Sequence, residues 1–491
     1  MFKKLKLNFP VDKREAYKLV SLTLLLFFLC VSSSILRNLK DSVTLTGMKA
    51  GAEAIPFLKV WAMLPTAAAM TWLFTFLNKH YGREKAFYII IGGLTSFFII
   101  FAFILFPNRT AIELTSLEPI LLEKLPSGMK GLVSIICQWE LTLFYVLCDI
   151  WPPIVLGVLF WGFTNEHSTP SEAERFYGIL KLGSTSSAIA AACFASYLMQ
   201  NKFSHNLPFG STVFEQTLIK QILFITMLTM ASFLLFNRLS KSMSKNSKIQ
   251  NKKKIKISLM QSFRCIIKSR YILSIAVLLI SYMMVYNLTD FIWKAYVREA
   301  FPNPNDLMRF MNGVTFKVGL ISIVAAALSP WIVRKAGLRF LLLITPIVVL
   351  VLAICFFAVL RLGDRFTETI AVMLGVAPMM LIVNIGAVQN ILSKAFKFSI
   401  FDISKETAFT PLDQETKWNA KATIDGMGTD IGDTGISLIN QGFLIVFGSF
   451  TASAPYALVM GIIVLVAWIS SANYIGREYS NMVEKQEDTL Q

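Results

Sequence analysis

Charge is the scarcest property of this chain: 16% of its 491 residues are Asp, Glu, Lys or Arg, where a soluble domain carries about a quarter. With 55% of the residues hydrophobic and 40 Phe among them, a water-soluble globule is excluded. Histidine is rarer still. His80, His167 and His205 stand far apart in sequence, which leaves no material for a histidine-based triad or zinc site. The six cysteines, Cys30, Cys137, Cys148, Cys193, Cys265 and Cys355, are spread singly without a CxxC pair. They are expected to be free thiols acting as small apolar residues. Asp425-Gly426-Met427-Gly428 has no strand before it and no Lys-Ser/Thr after it, so it is not a phosphate loop. Neither a metal nor a cofactor is called for.

What fills the chain is long apolar runs. A helix needs about 20 mostly apolar residues to cross the hydrocarbon core. That rule predicts an all-α membrane protein with twelve transmembrane helices, at 17–37, 56–77, 86–106, 140–163, 177–199, 218–237, 271–293, 313–333, 340–360, 369–392, 429–450 and 455–475. The first run is too long for a signal-peptide core and has no A-x-A-like end, so it is expected to remain as the first span. The fourth is interrupted by Asp149 and the Pro152-Pro153 pair, with room for an interfacial helix before it.

The net charge of +17 does not point to nucleic acid, because the basic residues sit in short clusters between apolar runs. Lys3, Lys4, Lys6, Lys13 and Arg14, then Lys79, Arg83 and Lys85, then Arg334, Lys335 and Arg339, all fall on one side of a twelve-span chain. So do the eleven Lys/Arg between Arg238 and Arg270. Lys/Arg enrichment marks that side as cytoplasmic, with both termini inside. The basic segment divides the chain into an amino-terminal six-helix half, 1–237, a linker, 238–270, and a carboxy-terminal six-helix half, 271–491. The turn 78–85 after span 2 is echoed by 333–339 after span 8. Two parallel six-helix repeats around a midplane site make a major facilitator-like arrangement.

Spans 1, 4, 7 and 10 line the cavity in that arrangement, and the unusual charges fall on them. Span 1 ends at Arg37 and Lys40. Span 4 contains Asp149 and runs to Asn165 and Glu166. Span 7 carries Asp290 and Lys294, and span 10 runs through Asn390 into Lys394 and Lys397. A single one of these could be a snorkelling side chain, but ionisable residues repeated at corresponding positions mark a path for a charged cargo. The segment 401–425 is polar and is expected to be a gating or docking loop.

Order and spacing of several blocks are similar to those of the nucleotide transporter family, the ATP/ADP translocases of intracellular bacteria and plastids. The blocks include Leu39-Lys40-Asp41-Ser42, the stretch from Gly51 to Trp61, Phe160-Trp161-Gly162-Phe163 with Asn165-Glu166, Asn287-Leu288 with Trp293-Lys294, and Gly386 to Lys394. The resemblance implies exchange or proton-driven import of nucleotides, with Lys40 and Glu166 on essential positions. Three places depart from the family pattern. Asp290 stands where relatives usually have Glu, Asp433 where they have the Lys of an x-Gly-Lys-Ser-Gly stretch, and Lys181 where they have a small residue. Asp149, Asp433 and Lys181 are candidates for coupling: protonation of Asp290 and Asp433 would let a proton move with the nucleotide, or Asp433 would pair with Lys181, one substitution compensating the other and leaving exchange untouched.

The residues agree with an anionic, aromatic cargo independently. Phosphates entering a low-dielectric cavity must meet fixed cations, and Arg37, Lys40, Lys294, Lys394 and Lys397 supply them. Lysine, a mobile point charge, suits a cargo that must be released again. Phe160, Trp161, Phe163, Asn165, Asn287, Gln389 and Asn390 could meet a base. The reading is a monomeric secondary transporter of nucleoside phosphates in the inner membrane of an intracellular bacterium, with the bilayer and, for symport, protons as its other partners. The alternatives are a membrane-embedded phosphate-transfer enzyme using Glu166, Asp149 and Asp290, a carrier of another organic anion, and a channel without counter-flow. On the twelve-span topology a cysteine replacing Ser247 should react with impermeant maleimide from the cytoplasmic side alone; labelling from the opposite face would overturn it.

Overall fold

The computed structural model describes residues 13–244, 269–361, 364–424 and 428–488, and these form helices and turns with no strand. The principal helices are α1 (Lys13–Gly47), α2 (Gly51–Leu105), α3 (Trp139–His167), α4 (Pro170–Leu198), α5 (Val213–Ser244), α6 (Arg270–Ala300), α7 (Pro304–Arg361), α8 (Pro378–Ala408), α9 (Gln414–Thr423), α10 (Thr429–Phe447) and α11 (Phe450–Asp488). Most of the basic segment expected between the two halves lies outside the described residues.

Ten described helices are long and apolar enough to cross a membrane. The expected second and third spans form one 55-residue run in α2, and the expected eleventh is matched by the shorter apolar helix Ile431–Phe447. Spans 8 and 9 both lie in α7. Gly82 in α2 (φ 79°, ψ 164°) and Gly337 in α7 (φ 73°, ψ 171°) break these runs. That backbone region is essentially confined to glycine.

Local chemistry sets several of the ends. Thr169 caps α4 in a reciprocal box with Glu172, and Pro170 follows at the first helical position. Lys18 of α1 reaches the same Glu172 at 2.9 Å. Burial pushes the Glu172 carboxyl up, but the Thr169 amide and the Lys18 ammonium outweigh it and hold it below its ordinary value. This contribution to stability is complete above the unfolded carboxylate range and is lost as pH falls through the lowered value. Ser269 caps α6 and Asp413 caps α9 through their side chains. Within α3, Pro152 and Pro153 cannot donate backbone bonds, and residues Pro152–Trp161 adopt wide π-helical turns.

Three expectations are corrected. Span 1 does not end at Arg37: α1 continues to Gly47, because Leu39, Val43 and Leu45 bury against protein and keep the polar residues between them away from lipid. Span 10 is not 369–392. The chain makes a separate helix at Asp364–Met373, turns at Gly375, and only then crosses as Pro378–Ala408, which places Lys394 and Lys397 inside the span. The segment 401–425 is no loop where described, since α8 runs to Ala408 and α9 occupies Gln414–Thr423. A short separate helix, Lys130–Cys137, stands before span 4, where the sequence left room for one.

The helices before residue 244 and those after 269 form two parts that meet along α1, α2 and α4 on one side and α6, α7 and α10 on the other. Towards the end of α1 they are bolted together. Arg298 donates to the carbonyls of Met48 and Lys49, Gln441 donates to the Pro56 carbonyl, and Trp61 donates to Gln441. Deeper in, Asn38 joins Asn312 and Thr315. Between α6 and α8 the buried Trp293 donates to the Val383 carbonyl at 2.9 Å and lies directly against Gly386, where an added Cβ would stand 2.1 Å from its ring. Gly386→Ala is therefore expected to destabilise the protein by about 1–3 kcal/mol through overpacking, read as a lowered unfolding midpoint in detergent. Gly435→Ala, where an added Cβ meets nothing within 4 Å, should leave the midpoint almost unmoved.

Candidate functional site

At the junction of the two parts lies a cavity of about 180 Å³. Helical spacing brings its walls together. Ser34, Arg37, Asn38 and Asp41 recur every three or four residues on α1, and Lys181, Ser184, Thr185 and Ala188 do so on α4. Thr315 and Ser322 of α7 and Lys394 and Phe398 of α8 complete the polar lining and its one aromatic ring. Arg37, Lys181 and Lys394 thus face a space whose only carboxylate is Asp41.

Around the cavity runs a belt of matched charges. Lys40 is buried, pairs with Asp149 of α3 and lies 4.2 Å from the centre of the Tyr145 ring, one turn earlier on the same helix. Lys294 sits between Asp41 and Asp290, 3.0 Å from each. Asp290 also accepts from Asn390 at 2.5 Å and from Tyr286 at 3.2 Å. Lys59 donates to Asn287 at 2.9 Å and stands 3.5 Å from Asp433, which accepts from Asn287 at 2.5 Å. Lys181 meets Asp402 at 3.4 Å. Separating Lys40 or Lys294 from its partners would leave a charge in a low-dielectric interior.

Three cations stand apart from this belt. Among the described residues Arg37, Lys394 and Lys397 make no ion pair. Lys394 lies 5.4 Å from the Tyr286 ring, and Lys397 lies 5.7 Å from Tyr282 and 5.1 Å from Phe398. The two tyrosines are themselves stacked, with rings 6° from parallel. Aromatic faces steady a cation without neutralising it, so these positive charges remain available to an anion.

Of the residues expected at the site, Arg37, Lys40, Asp149, Asp290, Lys294, Asn390, Lys394, Lys397, Asp433 and Lys181 do gather in or around the cavity. Glu166 and Asn165 do not. Glu166 is more than half exposed at the end of α3 and accepts from Arg83, while Asn165 accepts from Tyr177. Both lie at the far end of α3, in its last turn, well beyond the stretch that carries Asp149 to Lys40. Nor do Asp433 and Lys181 compensate each other, since each has a different partner. Phe160 and Phe163 are buried and make no part of the lining. Lys59 was not anticipated as a site residue. Its signal was a lone cation inside the apolar stretch from Ile55 to Met63.

Lys40 and Asp149 should be the sensitive pair. Removing one partner of a buried ion pair costs about 3–5 kcal/mol, so Asp149→Asn is expected to suppress transport by well over tenfold. Glu166→Gln, which breaks a surface pair worth about 0–1 kcal/mol, should reduce it less than fivefold. Initial uptake rates in proteoliposomes, normalised to inserted protein, decide between that order and its reverse.

Comparison with known proteins adds a lineage to this geometry. A family model described as TLC ATP/ADP transporter matches residues 1–479. ADP,ATP carrier protein 2 of Chlamydia pneumoniae is 34% identical over 487 residues, covering 96% of this chain and 90% of its own. The chloroplastic ADP,ATP carrier protein 1 of Arabidopsis thaliana is 31% identical, covering 98% and 76%. Among solved structures, the nucleoside transporter NupG aligns at TM-score 0.51 with 12% identity, over 94% of this chain and 99% of its own. An inward-facing bacterial homologue of the iron transporter ferroportin aligns at 0.52 with 14% identity, over 94% and 100%. At such identities the structural likeness speaks for the fold alone, a major facilitator-like helical bundle.

Proposed function

The chain belongs to the TLC ATP/ADP transporter family, and from that premise we propose that it carries nucleotides across a membrane, exchanging ATP and ADP through the cavity between its two parts. The observation that supports this reading is the set of unpaired cations: Arg37 and Lys394 on the lining with Lys397 beside it, opposite a single carboxylate already held by Lys294. Phosphates complete that balance. Phosphate–cation contacts are charge-assisted and individually strong, but lysine contacts stay exchangeable as the cavity turns to the other face.

Lys40, Asp149, Asp290 and Lys294 then serve as the belt that holds the cavity in register, with Asn390 fixing Asp290. Asp290 and Asp433, on which proton coupling was expected to rest, and the further candidate Asp149 are each matched by a lysine, which favours exchange over symport. The relatives' names are those of carriers, which supports transport over catalysis. Twelve spans arise if α2 crosses twice and Ile431–Phe447 crosses once. The basic clusters then put both termini in the cytoplasm. A bacterial inner membrane facing a host cell's nucleotides fits a lineage shared with Chlamydia carriers. One chain contains the whole cavity, so a monomer suffices.

Reconstituted protein should take up labelled ATP against internal ADP. Arg37→Gln and Lys394→Gln should each raise the apparent KM about tenfold, the equivalent of about 1.4 kcal/mol. Lys317→Gln, whose lysine lines a different cavity, should leave KM within twofold. Unchanged KM in both cavity variants would move the phosphate site elsewhere.

A further inference from the structure

A carrier that moves only by strict one-for-one exchange needs its cargo to bring its two parts together; without cargo it must stall. Here the two parts attract each other without any cargo. Asp41 of the first part meets Lys294 of the second at 3.0 Å. Lys59 of the first lies between Asn287 at 2.9 Å and Asp433 at 3.5 Å of the second. Lys181 of the first meets Asp402 of the second at 3.4 Å. Each part supplies both signs of charge, so the pairs form without an outside ion.

Their placement matters more than their number. Asp41 and Lys181 both line the cavity. Gly183, two residues after Lys181, lies against Thr23 of α1. The Lys181 bridge therefore lies nearer the start of α1 than the Asp41 bridge. One pair closes the space towards the end of α1 and the other crosses it nearer the start. The empty protein thus holds ion pairs between its parts at two levels of the cavity, with Lys181 and Asp402 still partly open to solvent.

Resting on the nucleotide reading above, we propose that these inter-part ion pairs let the empty protein reorient, so that it performs net, cargo-gradient-driven movement of nucleotide in addition to exchange. Lys181 is the point where the two modes compete. It faces the cavity and is half exposed, so an arriving phosphate can draw it from Asp402; when the cargo leaves, the Asp402 contact re-forms. Asp402 is not part of the lining, so substituting it changes the bridge while leaving the seat intact.

The test uses the full chain in liposomes, with no pH gradient and no membrane potential. Uptake of labelled ATP is measured into vesicles that are either empty or loaded with ADP. The native chain should show net uptake into empty vesicles within about tenfold of its exchange rate. Asp402→Asn should lower the ratio of net uptake to exchange at least threefold, Asp433→Asn should lower it as well, and Asp402→Glu, which keeps the pair, should return it to the native value. Native exchange without measurable net uptake would overturn the inference and leave the nucleotide reading standing. So would an Asp402→Asn variant with an unchanged ratio, or with both modes reduced in parallel, since the pair would then serve the fold alone. Absence of ATP uptake in both modes would overturn the nucleotide reading and this inference with it.

Discussion

A charge removed from water must find an opposite charge, and this requirement organises the whole interior. Among the described residues most intramembrane ions, with Glu140 of α3 an exception, buried and with both carboxylate oxygens unpartnered, meet at or near the seam between the two parts. There Lys40 takes Asp149, Lys294 takes Asp41 and Asp290, and Lys59 takes Asp433. The helices are positioned as much by these meetings as by the apolar clusters behind them. Arg37, Lys394 and Lys397 are the remainder, and an anionic cargo is what completes them.

Much of this was legible in the sequence because charge is conspicuous in an apolar chain. The all-helical membrane class was readable from the long apolar runs, and the ions that interrupt them include Arg37, Lys181 and Lys394, which line the cavity. Span ends were less legible. Hydropathy reports lipid exposure, so the buried continuation of α1 past Arg37 looks like a loop although its residues are helical and packed. The same blindness put span 10 too early, because the apolar turn around Gly375 counts towards a window as readily as a helix does.

Pairing was the least legible feature. Sequence indicates which ions are present but not which helix faces which, and a one-turn difference decides the partner. Glu166 and Asp149 both lie on α3, yet only Asp149 reaches Lys40, while Glu166, 17 residues further along, meets Arg83. Lys59 and Asp433 lie 374 positions apart, and nothing local announces their meeting. The resemblance marked Asp433 as unusual, whereas its partner became visible only in three dimensions.

The glycine breaks at Gly82 and Gly337 bear on how this protein can be handled. Each kinks a long helical run at a single residue, with helix on both sides and no intervening loop. A Cβ built at either position meets no atom within 4 Å, so what is restricted there is backbone conformation and not space. Such corners have no slack to absorb an inserted epitope or a protease site. The irregular stretch 199–212, with its own left-handed Gly210, offers that slack, and it is the place to graft a purification handle or a fiducial domain for imaging.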